Sequence, residues 1–175
     1  MKIKTITLLL LFLSTTLFAQ KDWKTLEKDE YAISYPEDWE SSNKKPQPTM
    51  EFLLLSDENT QKEDLFRENI NLTTEDLGDR ELTVEAYTTI SIDQIVAQIP
   101  TAKVGSSQSI TIDGREAKSI VWSADFGNGM ILKFKQVLII YSGKAYILTF
   151  SSSEAEFNIY IEVGDQILNS FKLAK

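Results

Sequence analysis

The strongest constraint on the fold is a run of turn signals in the C-terminal half of the chain. Asp113-Gly114, Gly127-Asn128-Gly129 and Ser142-Gly143 divide residues 107–150 into four segments. These are residues 109–112, 117–122, 130–141 and 145–150. Asp-Gly supplies the positive φ values that a tight hairpin turn needs. Strand, turn, strand at this spacing predicts an antiparallel meander rather than crossover βαβ units.

The third segment shows how the meander is covered. Met130, Leu132, Phe134, Leu138 and Ile140 share one face, interrupted by Gln136. The opposite face begins with Ile131, Lys133 and Lys135 and ends with Val137, Ile139 and Tyr141. A strand that is apolar on both sides over half its length is covered on both sides there. The next stretch supplies one cover. Ser153-Glu154-Ala155-Glu156 matches a capping box. Phe157, Tyr160, Ile161, Leu168 and Phe171 then fall on one helical face.

Earlier in the chain, 31–35, 51–55 and 69–73 read as strands, with Ile70 and Leu72 pointing inward. Trp23 to Leu26 is a short amphipathic lead-in, and loops are expected over 41–49 and 57–66. Residues 83–99 predict a helix capped by Thr83 and stopped by Pro100. Its buried stripe is Val84, Tyr87, Ile92, Ile95, Val96 and Ile99. The expected fold class is α+β: an antiparallel sheet of about six strands with helices packed on both faces.

Residues 1–19 have the form of a secretory signal peptide. Lys2 and Lys4 precede an apolar run from Ile6, and Ala19 offers a small residue before the cut. The expectation is an exported protein, periplasmic or secreted, with residues 20–175 as one domain and no stable membrane insertion after cleavage. The competing reading is a structural envelope component tethered by an uncleaved N-terminal segment. Composition narrows the function classes. The 175 residues include no cysteine and no histidine, so disulfides, a lipid-modified cysteine and the commonest metal ligands and nucleophile–base pairs are all missing. No cofactor and no metal is expected. Eighteen Lys and Arg against 26 Asp and Glu give a net charge of −8, which disfavours nucleic acid as a partner.

The segment Tyr31-Ala32-Ile33-Ser34-Tyr35-Pro36-Glu37-Asp38-Trp39 resembles the aromatic strand, Tyr-Pro and Trp signature of PsbP-like proteins. The helix from Thr83, the strands around Asp113-Gly114 followed by Arg115-Glu116-Ala117, and the final helix ending Ser170-Phe171-Lys172 fit the same order. That superfamily takes in PsbP, the Mog-type Ran-binding proteins and the DcrB-like exported bacterial proteins. This chain looks most similar to the exported bacterial members. The resemblance implies an α/β/α sandwich and a binding or assembly role. It carries over no functional residue, because the histidines tied to metal or cofactor retention in PsbP have no counterpart here.

Three residues are candidates for a ligand or partner surface. Trp39, after the Tyr35-Pro36 turn, either lines a groove at the end of the sheet or plugs the core. Lys133 and Lys135, two residues apart on one strand face, either contact an anionic partner or form a solvated half-strand. The acidic residues Asp57, Glu58, Glu63 and Asp64 match no calcium-loop spacing. The expected function is a non-enzymatic module that binds a protein partner or a small ligand. The enzyme alternative, a hydrolase working through paired carboxylates, has no assignable pair.

Overall fold

The structure is a computed structural model, described over residues 22–44, 46–62, 66–127 and 129–174. The leader-like residues 1–19 lie outside the described residues, as do Glu63 and Asp64 of the acidic loop. Ten strands and two helices follow in order. The strands are β1 (Trp23–Glu27), β2 (Tyr31–Pro36), β3 (Glu40–Ser42), β4 (Met50–Leu55) and β5 (Asn69–Asp76) before helix α1 (Val84–Gln98). After it come β6 (Lys103–Ile112), β7 (Arg115–Asp125), β8 (Ile131–Tyr141) and β9 (Lys144–Ser153), then helix α2 (Phe157–Asn169) and β10 (Lys172–Leu173).

The α+β class is as expected, and the ten strands exceed the expected count of about six, seven of them matching the segments read from the sequence. They form two antiparallel sheets rather than one: seven strands in the order β3-β4-β5-β9-β8-β7-β6, and three in the order β1-β2-β10. The extra strands β1, β3 and β10 have five, three and two residues, too short for alternation to declare them.

The meander forms as its turns dictate. Asp113 and Gly114 take φ of 50° and 73°, and Ser142 and Gly143 take 51° and 75°. Both pairs are therefore two-residue turns whose twist matches the flanking strands. The large sheet separates two cores. On its first face Phe52, Leu54, Ile70, Leu72, Val137, Ile139, Leu148 and Phe150 pack against Ile33 of β2 and Ile167 and Phe171. On its second face Ile120, Trp122, Leu138 and Ala145 pack under Val84 and Tyr87 of α1. Each fully buried side chain of this size stabilises the fold by about 1.5–3 kcal/mol. Ser170 ties the end of α2 to β2: its hydroxyl donates to the Ser34 carbonyl and accepts from the Ser34 N–H, both at 2.9 Å.

Three helix details differ from the sequence reading. Thr83 caps α1 as expected, its hydroxyl accepting from the Ala86 N–H at 3.1 Å. Val96, however, is 54 % exposed and points away from the sheet. The capping box at Ser153 does not form. Ser153 is drawn into the ladder opposite Leu132, and the helix starts only at Phe157 after a turn closed by the Glu156 N–H and Ser153 carbonyl. The Ser153 hydroxyl is left buried without a hydrogen-bond partner among the described residues. Phe171 lies beyond the last turn of α2, yet it is wholly buried.

Candidate functional site: a lysine-lined groove at the open end of the sheet

The covers do not match the sheet in extent. α1 packs on β6, β7 and β8 from the second face, while α2 packs on β9 and β2 from the first. On the first face, at the end carrying the β7–β8 turn, α2 reaches only the Lys133 and Lys135 side chains of β8, and among the described residues no helix packs over β6 and β7 there. A groove of about 500 Å3 opens there. Its lining includes Lys103, Gln108, Ser119, Ser123, Lys133, Lys135 and Glu154. Most ligand pockets of this size are predominantly apolar. This one mixes Val104, Val121 and Trp122 with polar side chains and is cationic, in an acidic chain.

Strand register explains the convergence. Lys103 pairs with Ser123, Ser123 with Lys133, and Lys133 with Ser152, so these four side chains form one row across the sheet. Lys135 stands one repeat along the same face, beside Val121. Strands lie roughly 4.8 Å apart, which puts the Lys103 and Lys133 backbones about 10 Å from each other. Two flexible ammonium groups across that gap can close on one carboxylate or phosphate group.

Lys103 reaches this row because of a bulge. From the Asp113-Gly114 turn to Ser107, β6 keeps regular register with β7, and between Ser107 and Val104 the register shifts by one. An unbulged strand would set Lys103 opposite Ala124, on the face under α1. The extra residue moves it to the groove face instead. Gly105 lies in the bulge, where an added Cβ would stand 3.1 Å from the Val121 carbonyl oxygen.

The α2 side of the groove orients the other two lysines. The Lys135 ammonium lies 2.6 Å from the Asp165 carboxylate, and that of Lys133 lies 4.6 Å from the centre of the Phe157 ring. Lys135 is thus part of a charge pair, and Lys133 and Lys103 are the cations more readily offered to a ligand. Glu154 is the only carboxylate among the groove's described lining residues. No set of three or more His, Cys, Asp or Glu residues able to hold a metal ion occurs among the described residues.

The structure thus brings together two of the three sequence candidates and separates the third. Lys133 and Lys135 line the groove. Trp39 is 4 % exposed and sits in the first core, its backbone N–H closing the turn on the Pro36 carbonyl at 3.0 Å. Sequence reasoning missed Lys103, Gln108, Ser119, Ser123 and Glu154. Counting back from Asp113-Gly114 pairs Gln108 with Ser119 and so places both on one face. Lys103 was hidden by the bulge.

Two smaller clefts lie among the described residues. One, of about 210 Å3, lies between α1 and the second face and includes Gln94, Gln98, Trp122 and Gln136. Two of its polar side chains are bonded to each other and to the sheet: the Trp122 indole N–H donates to Gln136 at 3.0 Å, and the Gln136 amide donates to Thr149 at 3.3 Å. The other, of about 440 Å3, is formed by the turn carrying Asp79, Arg80 and Glu81. No described helix is long and apolar enough to cross a membrane.

The same fold recurs in solved structures of low sequence identity. The cyanobacterial PsbP (CyanoP) of Synechocystis sp. PCC 6803 superposes with a TM-score of 0.62 at 14% identity, over 87% of this chain and 92% of that one. The Ran-binding protein Mog1p of Saccharomyces cerevisiae gives 0.60 at 10% identity, over 87% and 96%. LpqN of Mycobacterium tuberculosis, described as involved in cell envelope biogenesis, gives 0.57 at 14% identity, over 88% and 91%. These likenesses speak for the fold alone. No curated protein matches the chain in sequence. A family model for PsbP-like protein matches residues 14–173, in keeping with the Tyr35-Pro36…Trp39 segment and the order of elements. With nearly its whole length accounted for, the chain belongs to the PsbP-like protein family.

Proposed function

We propose that the protein is an exported, non-catalytic binding module that holds an anionic group of a partner protein or small ligand in the Lys103/Lys133/Lys135 groove. The observation that carries this reading is the convergence of three lysines on one uncovered quadrant of the sheet in a chain of net charge −8. A solvated half-strand does not require a register-shifting bulge to add a third cation. The groove offers a single described carboxylate, whereas a hydrolase of the paired-carboxylate type needs two. The leader-like residues 1–19 support a role outside the cytoplasm, as a cleaved periplasmic or secreted protein. Mog1p, a structural neighbour, is named for binding a protein, and LpqN for a role in the envelope; both fit a binding or accessory role here.

The test is amide chemical-shift mapping of residues 20–175 against glutarate and against glutamine amide as a neutral control. Shifts confined to the rows of Lys103, Ser123, Lys133 and Lys135 with glutarate, fading with salt, support the groove. Uniform or absent response removes it. Hydrolysis of ester or glycoside probes, lost on changing Glu154, would favour the enzyme instead.

A further inference from the structure

The groove opens at the edge of the sheet, and that edge is unusual within this molecule. Other bordering strands are short: β3 has three residues, β10 two and β1 five, whereas β6 has ten. Long exposed edges invite pairing with another chain, so proteins shorten, charge or distort them. β6 is distorted at one end by the bulge and charged there by Lys103. From Ser107 to Ile112 it runs in regular register, a length of roughly 20 Å.

The turn fixes which backbone groups face outward. Asp113 and Gly114 form a two-residue turn with both φ values positive, so the pair that closes it, Ile112 and Arg115, exchanges backbone hydrogen bonds. Bonded and non-bonded pairs alternate from there. Ile110 and Gln108 turn their N–H and C=O toward Ala117 and Ser119. Thr111, Ser109 and Ser107 turn theirs away from β7, and no described strand lies on that side. Ser109 and Thr111 are exposed, so their outward donors and acceptors meet solvent.

We propose that this edge takes an extended acidic segment of a partner protein as an added strand, with its acidic side chains entering the lysine groove. The inference rests on the binding role given to the groove above and names the class of occupant. An added strand would lie about 4.8 Å from β6. On the groove face its side chains would stand beside Gln108, Ile110 and Ile112, and the acidic ones at the Gln108 end would meet Lys103 first, with Lys133 and Lys135 two strands further in. Backbone pairing would supply affinity and the lysines would select acidic sequence, the division of labour of strand-addition domains. A second copy of this chain is the poorer occupant, because its β6 would bring Gln108, Ile110 and Ile112, or Ser107, Ser109 and Thr111, beside this edge and no carboxylate for the lysines.

The probe is a fluorescein-labelled ten-residue peptide alternating Glu and Val, read by anisotropy against residues 20–175. A Lys/Val peptide and a Glu/Val peptide N-methylated at alternate residues are controls. Ser109→Pro removes one outward N–H without costing a β6–β7 bond, a position where an edge strand accepts proline. Thr111→Pro serves if that variant fails to fold by circular dichroism. The expected result is binding of the acidic peptide alone, weakened about tenfold or more by N-methylation and by the proline. Lys103→Glu weakens it as well. Equal binding by the proline variant overturns strand addition but leaves the groove standing. Absence of peptide binding with glutarate still mapping to the groove does the same. Absence of both overturns the inference and the groove reading together. A wild-type dimer that Ser109→Pro converts to monomer overturns the acidic occupant in favour of a second copy.

Discussion

Gly164 is where α2 comes closest to the sheet, and Gly164→Ala sets two opposing effects against each other. A Cβ built there would stand 3.0, 3.1 and 3.3 Å from three ring carbons of Phe150. Ordinary carbon contacts lie near 3.5–4.0 Å. Phe150 is wholly buried and its ring packs against Phe157 with centroids 5.7 Å apart, so it has little room to retreat. Overpacking of this kind costs about 1–3 kcal/mol. Replacing a helical glycine by alanine returns about 1 kcal/mol. The expected net is destabilisation of about 1 kcal/mol, or a fall in Tm of about 2–4 °C for a domain of this size. Urea unfolding of residues 20–175 measures it. The decisive control is the same change in a Phe150→Leu background, where the smaller side chain yields and alanine becomes neutral or stabilising. A coupling of at least about 0.5 kcal/mol is expected between the two sites. Strict additivity, or stabilisation by Gly164→Ala alone, would refute the close-contact argument.

Trp39→Ala is expected to cost about 3–5 kcal/mol in urea unfolding, as loss of a core aromatic, while the glutarate shifts in the groove persist in whatever fraction stays folded. Gly105→Val forces a side chain against the Val121 carbonyl and displaces the bulge, so it should weaken anion binding at Lys103 more than it lowers Tm. Tyr31 is pushed up to about 12 by burial, with Glu51 and Glu30 adding to the effect. The unfolded phenol ionises near 10, so this stabilisation is complete below pH 10 and is lost as pH rises toward 12. Absorbance at 295 nm should show Tyr31 titrating late, and Tyr31→Phe should flatten the alkaline limb of the stability profile. Glu75 is held low chiefly by its hydrogen bond from Arg80, so its contribution is present above the usual carboxylate pKa and fades as acid is added; Arg80→Ala should reduce that acid dependence.

What could be read from the sequence follows physical rules of limited reach. The meander was legible because glycine turns and alternating side chains are local signals. The helix at Thr83 was legible for the same reason, through its cap and Pro100. The β1-β2-β10 sheet was not, because its pairing joins Ala32 to Lys172 across almost the whole chain. The false capping box at Ser153 shows a motif losing to the ladder: pairing with Leu132 holds that residue in β9. The site was half legible. Lys133 and Lys135 share a face by simple alternation, and Trp39 was flagged as either groove or core and proved to be core. Lys103 depended on a one-residue register shift that nothing in the local pattern of β6 announces.

The central claim is that the lysine groove is where this module binds. The most direct measurement retains partners from an envelope extract of the source organism on immobilised residues 20–175, comparing wild type with the Lys103→Glu/Lys133→Gln double variant at matched folding. Mass spectrometry quantifies what is held. The account predicts an acidic partner retained stoichiometrically by the wild type, released by salt, and lost from the variant. The same partner held equally by both proteins would contradict it.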